Sequence, residues 1–564
     1  PIHCRPVHES TSLGGRGKDM AWPNRGLTHR PVVMGTRGMV AAANPLASLA
    51  GLRVLMQGGN AVDAAVATAA ALNVCEPYMS GIGGMGYMLI YTAADRRLRV
   101  LDYNGPAPTA ARADAFTGEA DKGHGAKAPL IPGAAAGWLT AHESHGRLDR
   151  SAIFAHAIDY ATRGVPLTVK NETFFRNAAA AGHLEPETRD VFLLGGEVPP
   201  AGSVLAQPML AQTFREVVEG GKDAFYRGAI ARRIVETVQA KGGLLTAEDL
   251  AGFEPVWQEP IVTGYRGYAV HCPPPPCSGV QYLQTLSMLA DEDVGRMGHN
   301  TPATIHLLAE VMKLAVADRI AYAADPGAPV AGLLAREYTA ERRALIDLGR
   351  AARSEGDRFD GRLAGPEAVQ AGQPALAVPE CTTHFDVVDA EGNAVAVTQS
   401  LGDAFGSGVM AGDTGVMLNN FSFWFDLDPA SPNVIAPGKK MEMCMAPAMV
   451  LRDGVPLLVI GTPGSFGILQ TTPQMISNVI DHRMSIQAAI EAPRFKTAQG
   501  TELMIETRIP DAARYELTRL GHTLSLLGDW SWSVGGGQGI LIDPDTGVLT
   551  GGADPRRDGY AMGW

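Results

Sequence analysis

The sequence predicts an α+β fold, because helical and strand patterns dominate different parts of the chain. From about 130 to 350 the hydrophobic pattern is mostly helical, as in the long amphipathic stretch TPATIHLLAEVMKLAVADRIAYAADP. From 382 onward short strand patterns alternate with turns, and helical patterns return at TTPQMISNVIDHR and SIQAAIEAPRF. Separate helical and strand regions of this kind are typical of α+β proteins.

Composition sets the broad class of the protein. The chain has 564 residues, of which 46% are hydrophobic and 19% are charged, so it can bury a large core, and length alone suggests several domains. Its formal net charge of -12 argues against a nucleic-acid or anionic-membrane partner, because both require a basic face. No run of 18 apolar residues occurs, and the first residues contain no apolar signal-peptide core. We expect a cytoplasmic protein, or a periplasmic one if a leader has been removed.

The cysteines are too few and too scattered for a disulfide scaffold: the chain has six, at positions 4, 75, 272, 277, 381 and 444. Cys272 and Cys277 in HCPPPPC resemble a metal or redox pair. Four prolines favour an extended polyproline II segment, in which the two Cα atoms would lie roughly 15 Å apart. We therefore predict a rigid spacer here and not a metal or redox site.

Two helices are predicted near the start of the chain, in NPLASLAGLRVLMQGGNAVDAAVATAAALNVCEP. Asn44 caps the first, Gly58 and Gly59 end it, and Asn60 caps the second, which should be buried because apolar residues cover nearly all its sides.

The following GIGGMGYMLIYT matches the dinucleotide fingerprint G-x-G-x-x-G, but there a strand precedes the glycines and a helix follows. Here the order is reversed, so we predict a glycine-rich turn packed closely against other backbone.

His306 and Glu310 lie four residues apart on one face of a predicted helix. No second pair at metal-ligand spacing accompanies them, so packing is the favoured interpretation.

A hairpin is predicted in TTHFDVVDAEGNAVAVTQS, with residues 389–393 as its loop. If Val388 pairs with Ala394, antiparallel register places Thr382 opposite Ser400. Thr382 would then lie at the end of a strand, next to a second hydroxyl, with Phe385 on the opposite, core face. Residues 351–380 just before it lack periodicity and are rich in Gly, Ala, Pro and charge, which predicts a mobile linker.

This arrangement suits a chain that cuts itself before Thr382. The hydroxyl would attack the Cys381 carbonyl, the resulting ester would be hydrolysed, and the new α-amine, with an unperturbed pKa of ~7.7–8.0, could serve as base for the same hydroxyl. Ser400 would orient or polarise Thr382. Cys381 as nucleophile is a minor alternative, since thiolates are strong nucleophiles. From spacing alone, an ordinary threonine-rich β-hairpin is the stronger interpretation.

Family resemblance reverses that preference. The chain resembles the γ-glutamyltranspeptidase family of N-terminal nucleophile hydrolases in blocks that occur in family order over roughly residues 35 to 560. Besides the hairpin, these blocks are GGNAVDAAVA, EPYMSGIGGMGYMLIY, PGAAAGW, LTAEDLAGFEP, PPPPCSGV, HLLAEVMKLAVADR, GTPGSFG, EAPRF and ADPRRDG.

The resemblance implies a four-layer αββα sandwich made from two intertwined subunits, a large one at 1–381, with the linker at about 351–381, and a small one at 382–564. It implies no metal and no organic cofactor. Thr382 is then the nucleophile, Ser400 its hydroxyl partner, and the backbone N–H groups of Gly464 and Ser465 the oxyanion hole. The second oxyanion position is usually Gly in the transpeptidases.

This sequence departs from the family at the residues that bind the glutamyl group. The positions of the family's substrate contacts carry, in this chain, Asn104, Gly402, Phe421, Trp424, Met443 and Cys444. The charged anchors of a zwitterionic amino acid, each worth ~1.5–3 kcal/mol, are missing at these positions. The pattern resembles the acylase branches of the family more than the true transpeptidases. Core packing is an equally good explanation for Phe421, Trp424 and Met443.

Three functions follow as hypotheses. The first is an autoprocessed amidohydrolase or acylase that acts through a threonyl acyl-enzyme, with weak or no γ-glutamyl specificity. The second is a genuine γ-glutamyltransferase or glutathione hydrolase, and the third is an uncleaved, non-catalytic binding or structural relative. The expected partners are a small-molecule amide and the chain's own cleaved subunit in an αβ heterodimer, without nucleic acid or membrane.

Overall fold

The computed structural model describes residues 28–325, 327–352, 360–364, 368–371, 381–498 and 500–564. The linker predicted at 351–381 therefore lies mostly outside the described residues. Two of its segments, Asp360–Ala364 and Ala368–Ala371, are described and pair as antiparallel strands.

The strands in chain order are β1 Val33–Gly35, β2 Gly38–Ala42, β3 Met85–Thr92, β4 Arg97–Asp102, β5 Val165–Pro166, β6 Val204–Leu205, β7 Val256–Gln258, β8 Ile261–Tyr265, β9 Tyr268–Cys272, β10 Asp360–Ala364, β11 Ala368–Ala371, β12 Cys381–Asp389, β13 Ala394–Gly402, β14 Ala448–Arg452, β15 Val455–Gly461, β16 Phe495–Thr497, β17 Glu502–Ile505, β18 Thr523–Leu526, β19 Gln538–Ile542, β20 Leu549–Ala553 and β21 Tyr560–Gly563.

The α-helices in chain order are α1 Pro45–Met56, α2 Ala61–Cys75, α3 Glu119–Gly123, α4 Ala134–His145, α5 Arg150–Arg163, α6 Val169–Ala181, α7 Pro186–Phe192, α8 Pro208–Tyr226, α9 Ala229–Ala240, α10 Ala247–Ala251, α11 Val280–Leu289, α12 Val294–Met297, α13 Pro302–Tyr322, α14 Val330–Leu333, α15 Arg336–Ala344, α16 Ile468–Ile480, α17 Ile486–Glu491 and α18 Asp511–Arg519.

Two seven-stranded antiparallel sheets stack face to face in the centre of the molecule. Their strand orders are β21-β2-β12-β13-β3-β4-β7 for the first sheet and β1-β20-β19-β15-β14-β9-β8 for the second. Side chains of both sheets share one buried core with α11, α13, α16 and α17, and the outer face of the first sheet packs against α1, α2, α4, α5, α8 and α9. Helix, sheet, sheet and helix layers thus confirm the α+β class and the αββα sandwich.

Both sheets combine strands from the two sides of the Cys381–Thr382 bond. In the first sheet, β12, β13 and β21 lie among β2, β3, β4 and β7 from the earlier part of the chain. In the second, β14, β15, β19 and β20 lie between β1 and the pair β9 and β8. The strands at 256–272 are not expected from the mostly helical pattern of that region, because their short apolar runs resemble helix segments.

Local sequence signals account for the first helices and the turn after them. Asn44 and Asn60 cap α1 and α2, as predicted, and Asn60 also forms a capping box with Asp63. The glycine turn between α2 and β3 also packs as predicted: a Cβ atom on Gly84 would lie 2.3 Å from the Ser400 carbonyl oxygen, and one on Gly86 2.4 Å from that of Thr398. Only glycine fits backbone this close to β13.

The prediction of a rigid polyproline spacer in HCPPPPC is wrong. The four prolines form a turn in which the Cys277 N–H donates to the Pro274 carbonyl at 3.0 Å. Cys272 and Cys277 are fully buried free thiols in the central core. The bond is possible because Cys277 itself retains an N–H, and burial of both thiols outweighs the extended preference of the prolines.

Across the described part of the chain, no helix combines the length and the apolar character needed to cross a bilayer.

Candidate active site

The predicted hairpin is present, and its register holds over most of its length. Val388 pairs with Ala394, and successive pairs continue to Thr383 with Gln399. The loop between the strands is one residue shorter than predicted: Asp389, predicted as its first residue, ends β12, and β13 begins at Ala394 as predicted. The alternation of apolar side chains fixes this register, because a shift by one residue would exchange the two faces.

At the open end of the hairpin the register shifts by one residue. Cys381 pairs with Gly402, so Ser400 and Leu401 of β13 form a bulge opposite Thr382, and Thr382 does not form the predicted regular pair with Ser400. Bulges commonly redirect a side chain next to an active site. The neighbouring strand β2 reaches only as far as Phe385 along β12, so the bulge lies beyond its end.

Ser400 contacts the peptide bond on which the predicted cleavage would occur. Its buried hydroxyl donates a hydrogen bond to the Cys381 carbonyl oxygen and accepts one from the Gly402 N–H at 2.8 Å. The Gly402 bond orients the hydroxyl so that its proton points at the carbonyl. This contact polarises the carbonyl of residue 381, whereas the sequence suggested that Ser400 acts on Thr382.

Both faces of β12 are buried. Phe385 and Val387 pack against the helices of the first layer, as predicted, but Val388 belongs to the core between the two sheets. His384 and Asp386 on that same inner face have no exposed surface. The prediction that β12 has a single core face is therefore incomplete, because the second sheet covers the face that carries Thr382.

A buried polar group lies two residues beyond Thr382 on the inner face. His384 Nε2 is 3.1 Å from both Asp386 carboxylate oxygens, and its Nδ1 is 2.8 Å from the Thr398 hydroxyl. Burial raises the pKa of Asp386, and the neighbouring His384 partly opposes that rise. The His384 ring lies against Gly461, where an added Cβ atom would be 2.4 Å from its Cε1.

The Gly461 contact relates β12, which carries the predicted nucleophile, to the predicted oxyanion loop. Thr382 precedes His384 by two residues in β12, and Gly464 follows Gly461, the last residue of β15, by three. Gly464 has φ +130° and Ser465 has φ +51°. The chain then passes through one 3₁₀ turn into α16.

The amides of this loop are suited to binding an anion. Gly464 and Ser465 are buried, and no oxygen of the described residues accepts a hydrogen bond from either N–H. Free amides just before a helix can stabilise developing negative charge. Ser465 adopts the left-handed conformation that the usual glycine allows at lower cost.

Four of the predicted substrate-binding residues lie in the buried interior: Phe421, Trp424, Met443 and Cys444. Asn433 links two of their segments, because its amide donates to the Trp424 carbonyl at 2.6 Å and accepts from the Glu442 N–H at 3.1 Å. The Trp424 ring contacts Phe466, next to Ser465, with 4.8 Å between ring centroids. The indole N–H of Trp424 is buried and has no partner among the described residues.

Asn104 follows β4, and Gly402 is the last residue of β13 in the hairpin. The Asn104 amide donates to Asp102 at 2.8 Å and to the Gly86 carbonyl at 3.1 Å, while its oxygen is buried and has no partner within the described part of the chain. A Cβ atom on Gly402 would lie 2.1 Å from the Asn420 amide oxygen. Asn420 thus occupies the space that a side chain at 402 would need.

Two cations near these residues are already paired with carboxylates. Lys440 lies 2.7 Å from Asp102, and Arg319 forms a buried ion pair with Glu442. The Arg319 guanidinium also lies over the Phe466 ring, 4.0 Å from its centroid. Neither pair was expected from the sequence, because the partners are 338 and 123 residues apart.

Glu76 is a further residue near Thr382 in the sequence-predicted site region that sequence analysis missed. It follows α2, and its carboxylate accepts a hydrogen bond from the Thr383 hydroxyl at 3.3 Å. Burial raises its pKa to about 7, an effect that Arg557 partly opposes. The family block EPYMSGIGGMGYMLIY contains this residue, but nothing in that block shows that it reaches β12.

We expect Glu76 to make stability fall as the pH rises. Its pKa is about 7 in the folded protein and 4.5 for an unperturbed Glu, so its contribution is fully present below pH 4.5 and is lost as the pH rises through 7. A shift of this size corresponds to about 3 kcal/mol. Urea unfolding of wild type and Glu76→Gln should show that the free energy of unfolding decreases less between pH 5 and pH 8 in the variant. An equal decrease in both proteins would contradict this prediction. Glu236→Gln, at an exposed position, is the control.

Comparison with known proteins gives consistent matches over most of the chain. Residues 47–564 match the family model described as Gamma-glutamyltranspeptidase. The chain is 38% identical over 544 residues to the Acylase ACY 1 proenzyme of Pseudomonas sp. (strain SE83), with 93% of each chain covered. It is 35% identical over 556 residues to the Glutathione hydrolase proenzyme of Bacillus subtilis (strain 168), covering 95% of this chain and 93% of that one. The cephalosporin acylase from Bacillus halodurans superposes with a TM-score of 0.86 at 33% identity, covering 98% of this chain and 99% of that one.

Proposed function

Because this chain belongs to the gamma-glutamyltranspeptidase family, whose members are N-terminal nucleophile hydrolases, we propose that it cuts itself between Cys381 and Thr382 and then hydrolyses an amide with the freed Thr382. The observation that carries the proposal is the Ser400 hydroxyl on the Cys381 carbonyl, at a bulge in an otherwise regular hairpin. A merely structural hairpin would not need this contact.

Processing begins when the Thr382 hydroxyl oxygen attacks the Cys381 carbonyl carbon. The hydroxyl proton passes to the departing amide nitrogen, and the carbonyl oxygen takes up negative charge that the Ser400 hydroxyl stabilises. Breaking the C–N bond leaves an ester between residue 381 and the Thr382 side chain, and the amide nitrogen, with that proton, becomes an amine. Water then hydrolyses the ester and frees the Thr382 hydroxyl and α-amine.

Turnover uses the same hydroxyl on a substrate amide. The α-amine of Thr382 accepts the hydroxyl proton as the oxygen attacks, and the N–H groups of Gly464 and Ser465 donate to the oxyanion. The proton passes to the leaving amine, which departs to give an ester on Thr382. A water molecule, activated by the same α-amine, releases the acid and restores the enzyme.

The substrate is an amide whose acyl group lacks the α-amino-acid head. Cations near the predicted pocket are neutralised within the protein, Lys440 by Asp102 and Arg319 by Glu442, which leaves them little capacity to bind a substrate carboxylate. The Trp424 indole N–H and the Asn104 oxygen supply one buried donor and one buried acceptor instead. This favours an uncharged aryl or alkyl acyl group, with water as the usual acceptor.

Similarity to proteins called glutathione hydrolase keeps γ-glutamyl substrates as the second candidate. Asn104 and Trp424 argue against it, since an arginine and an aspartate are the family's residues at these positions. An uncleaved, non-catalytic relative is the third candidate, and it predicts a single chain.

Fragment analysis of the purified wild-type protein tests the proposal. Denaturing electrophoresis should show pieces of 381 and 183 residues, the second being 564 minus 381. The smaller piece should begin Thr-Thr-His on N-terminal sequencing, whereas a start at Cys381 would assign the cleavage to the cysteine. A chain that stays intact for days under native conditions would contradict self-processing.

Ser400→Ala should slow both processing and turnover without altering the fold. Removing one donor at a developing oxyanion typically costs ~10²–10³ in rate. Ser407→Ala is a matched control, because that buried hydroxyl also donates to a carbonyl, of Leu418, and accepts from the N–H two residues on. Time courses of cleavage and of amide hydrolysis measure both effects. Rates within a factor of two of wild type for Ser400→Ala would place its hydroxyl outside the reaction.

A further inference from the structure

Two histidines and an aspartate from distant parts of the chain meet beside the end of β13. His124 follows α3, His183 lies between α6 and α7, and Asp403 directly follows β13. One possible ligand atom from each residue lies within 4.8 Å of the other two. Asp403 is buried, while both imidazoles are partly exposed and can be reached from solvent.

The spacing of one pair of ligand atoms is close to that of a metal site, but the orientation of the two rings is not. His124 Nε2 is 3.7 Å from Asp403 Oδ2, near the ~3.3 Å edge of a tetrahedron with bonds of about 2.0–2.1 Å. The two rings are stacked, with centroids 3.9 Å apart and planes 9° apart. An ion lies in the plane of each imidazole that binds it, so one ring must rotate. Partial exposure leaves room for His183 to do so, at the cost of its 3.3 Å contact with the Ala404 carbonyl.

A comparable buried group shows what a filled arrangement looks like. His306, Glu310 and His522 also bring three possible ligand atoms together. There, however, Lys313 donates to Glu310 at 2.6 Å, and the His306 nitrogens contact His522 at 2.8 Å and the Asp347 carbonyl at 3.0 Å. His522 Nδ1 and His124 Nδ1 are both buried and have no partner among the described residues. The two groups differ at their carboxylates: the Lys313 ammonium already pairs with Glu310, whereas the ion-pair partner of Asp403 is His124 itself.

We propose that His124, His183 and Asp403 form a binding site for a divalent transition-metal ion of the Zn²⁺ type, which ties the part of the chain before Cys381 to the part after it. Two imidazoles and a carboxylate are a donor set that zinc prefers, and solvent can supply the fourth ligand. If the chain is cut as proposed above, the ion joins the two pieces; binding itself does not depend on the cut.

The ion would also fix the turn that supports Ser400. Asp403 follows Gly402, whose N–H donates to the Ser400 hydroxyl, and the Asp403 N–H donates to the Asn420 amide oxygen at 2.9 Å. Holding the Asp403 side chain on a metal therefore restricts the backbone three residues from Ser400.

Zinc titration of chelator-treated, full-length protein tests the site, with calorimetry for binding and thermal unfolding for stabilisation. Wild type should bind one equivalent, and its melting temperature should rise with Zn²⁺ concentration. His124→Ala and His183→Ala should each weaken zinc binding by at least ~10–100-fold, because a residue that only contacts a metal ligand already contributes that much to affinity. Both variants should also lose the rise in melting temperature. His156→Ala, a partly exposed histidine on α5, should behave as wild type.

The outcomes separate this proposal from the proposed function. Binding that is unchanged in both His124→Ala and His183→Ala would overturn the site, as would failure of wild type to bind Zn²⁺ above the level of the two variants. Neither readout uses cleavage or turnover, so an inactive or uncut protein still gives a result. A tetrahedral Co²⁺ absorption band in wild type that is absent from His183→Ala would confirm the imidazole ligand.

Discussion

Thr382→Ala should remain a single chain of 564 residues and show no amide hydrolysis. The substitution removes the atom that attacks the Cys381 carbonyl and later the substrate. Loss of a nucleophile of this kind typically costs about 10⁶ in rate, which leaves no detectable cleavage over days. Denaturing electrophoresis and a p-nitroanilide assay measure the two effects together.

The neighbouring threonine provides a stringent control for Thr382→Ala. Thr383→Val preserves the branched strand residue and removes only the 3.3 Å hydrogen bond to Glu76, so processing should continue. Thr382→Ser retains a hydroxyl and should also be cut. Cleavage before residue 382 in Thr382→Ala would show that another group attacks, and the same experiment on Cys381→Ala would then identify it.

The second large effect should be discrimination between acyl groups. Against γ-glutamyl-p-nitroanilide, an uncharged acyl-p-nitroanilide of the preferred size should have a higher kcat/KM by ~10⁴-fold or more, because a glutamyl head would leave its charges unpaired in the site. The panel should include phenylacetyl and glutaryl amides and oxamate. A tenfold advantage for the γ-glutamyl substrate would overturn the assigned roles of Trp424, Met443 and Cys444 and favour the second candidate.

Variants of Trp424 show whether that residue lines the pocket or only fills the core. Trp424→Phe retains a ring against Phe466 and removes the buried indole N–H that has no partner among the described residues. If the residue contacts the acyl group, kcat/KM should change with the acyl group offered while the melting temperature changes little. An equal loss for every substrate, in step with lost stability, would indicate core packing.

Sequence reasoning predicted those parts of the site that have a periodic or local signature. The hairpin register followed from alternation, which allows one pairing of Val388 without exposing Phe385. The caps at Asn44 and Asn60 followed from side chains that bond their own helix. The bulge opposite Thr382 could not be predicted, because a one-residue register shift depends on what the strand end contacts, here Ser400 and Gly402.

Contacts between distant segments account for the remaining differences. The second sheet covers the inner face of β12 and buries His384. That face carries polar residues, and nothing in TTHFDVVDAEGNAVAVTQS shows whether a polar face lies against another sheet or against solvent. The HCPPPPC turn differs from its prediction for a similar reason: local propensity favoured extension, whereas burial of Cys272 and Cys277 required a compact path. His124, His183 and Asp403 have no common motif at all.

The alternation of strands from both sides of residue 381 in each sheet has a consequence for refolding. Before the cut, every strand pair forms within one molecule, and chain connectivity limits the entropy lost in bringing partners together. After the cut, unfolding would release two chains that must find each other again, each carrying incomplete sheets with open edges prone to aggregation. The cut protein would then remain native because it unfolds slowly, since its native arrangement would be reached only through the uncut precursor.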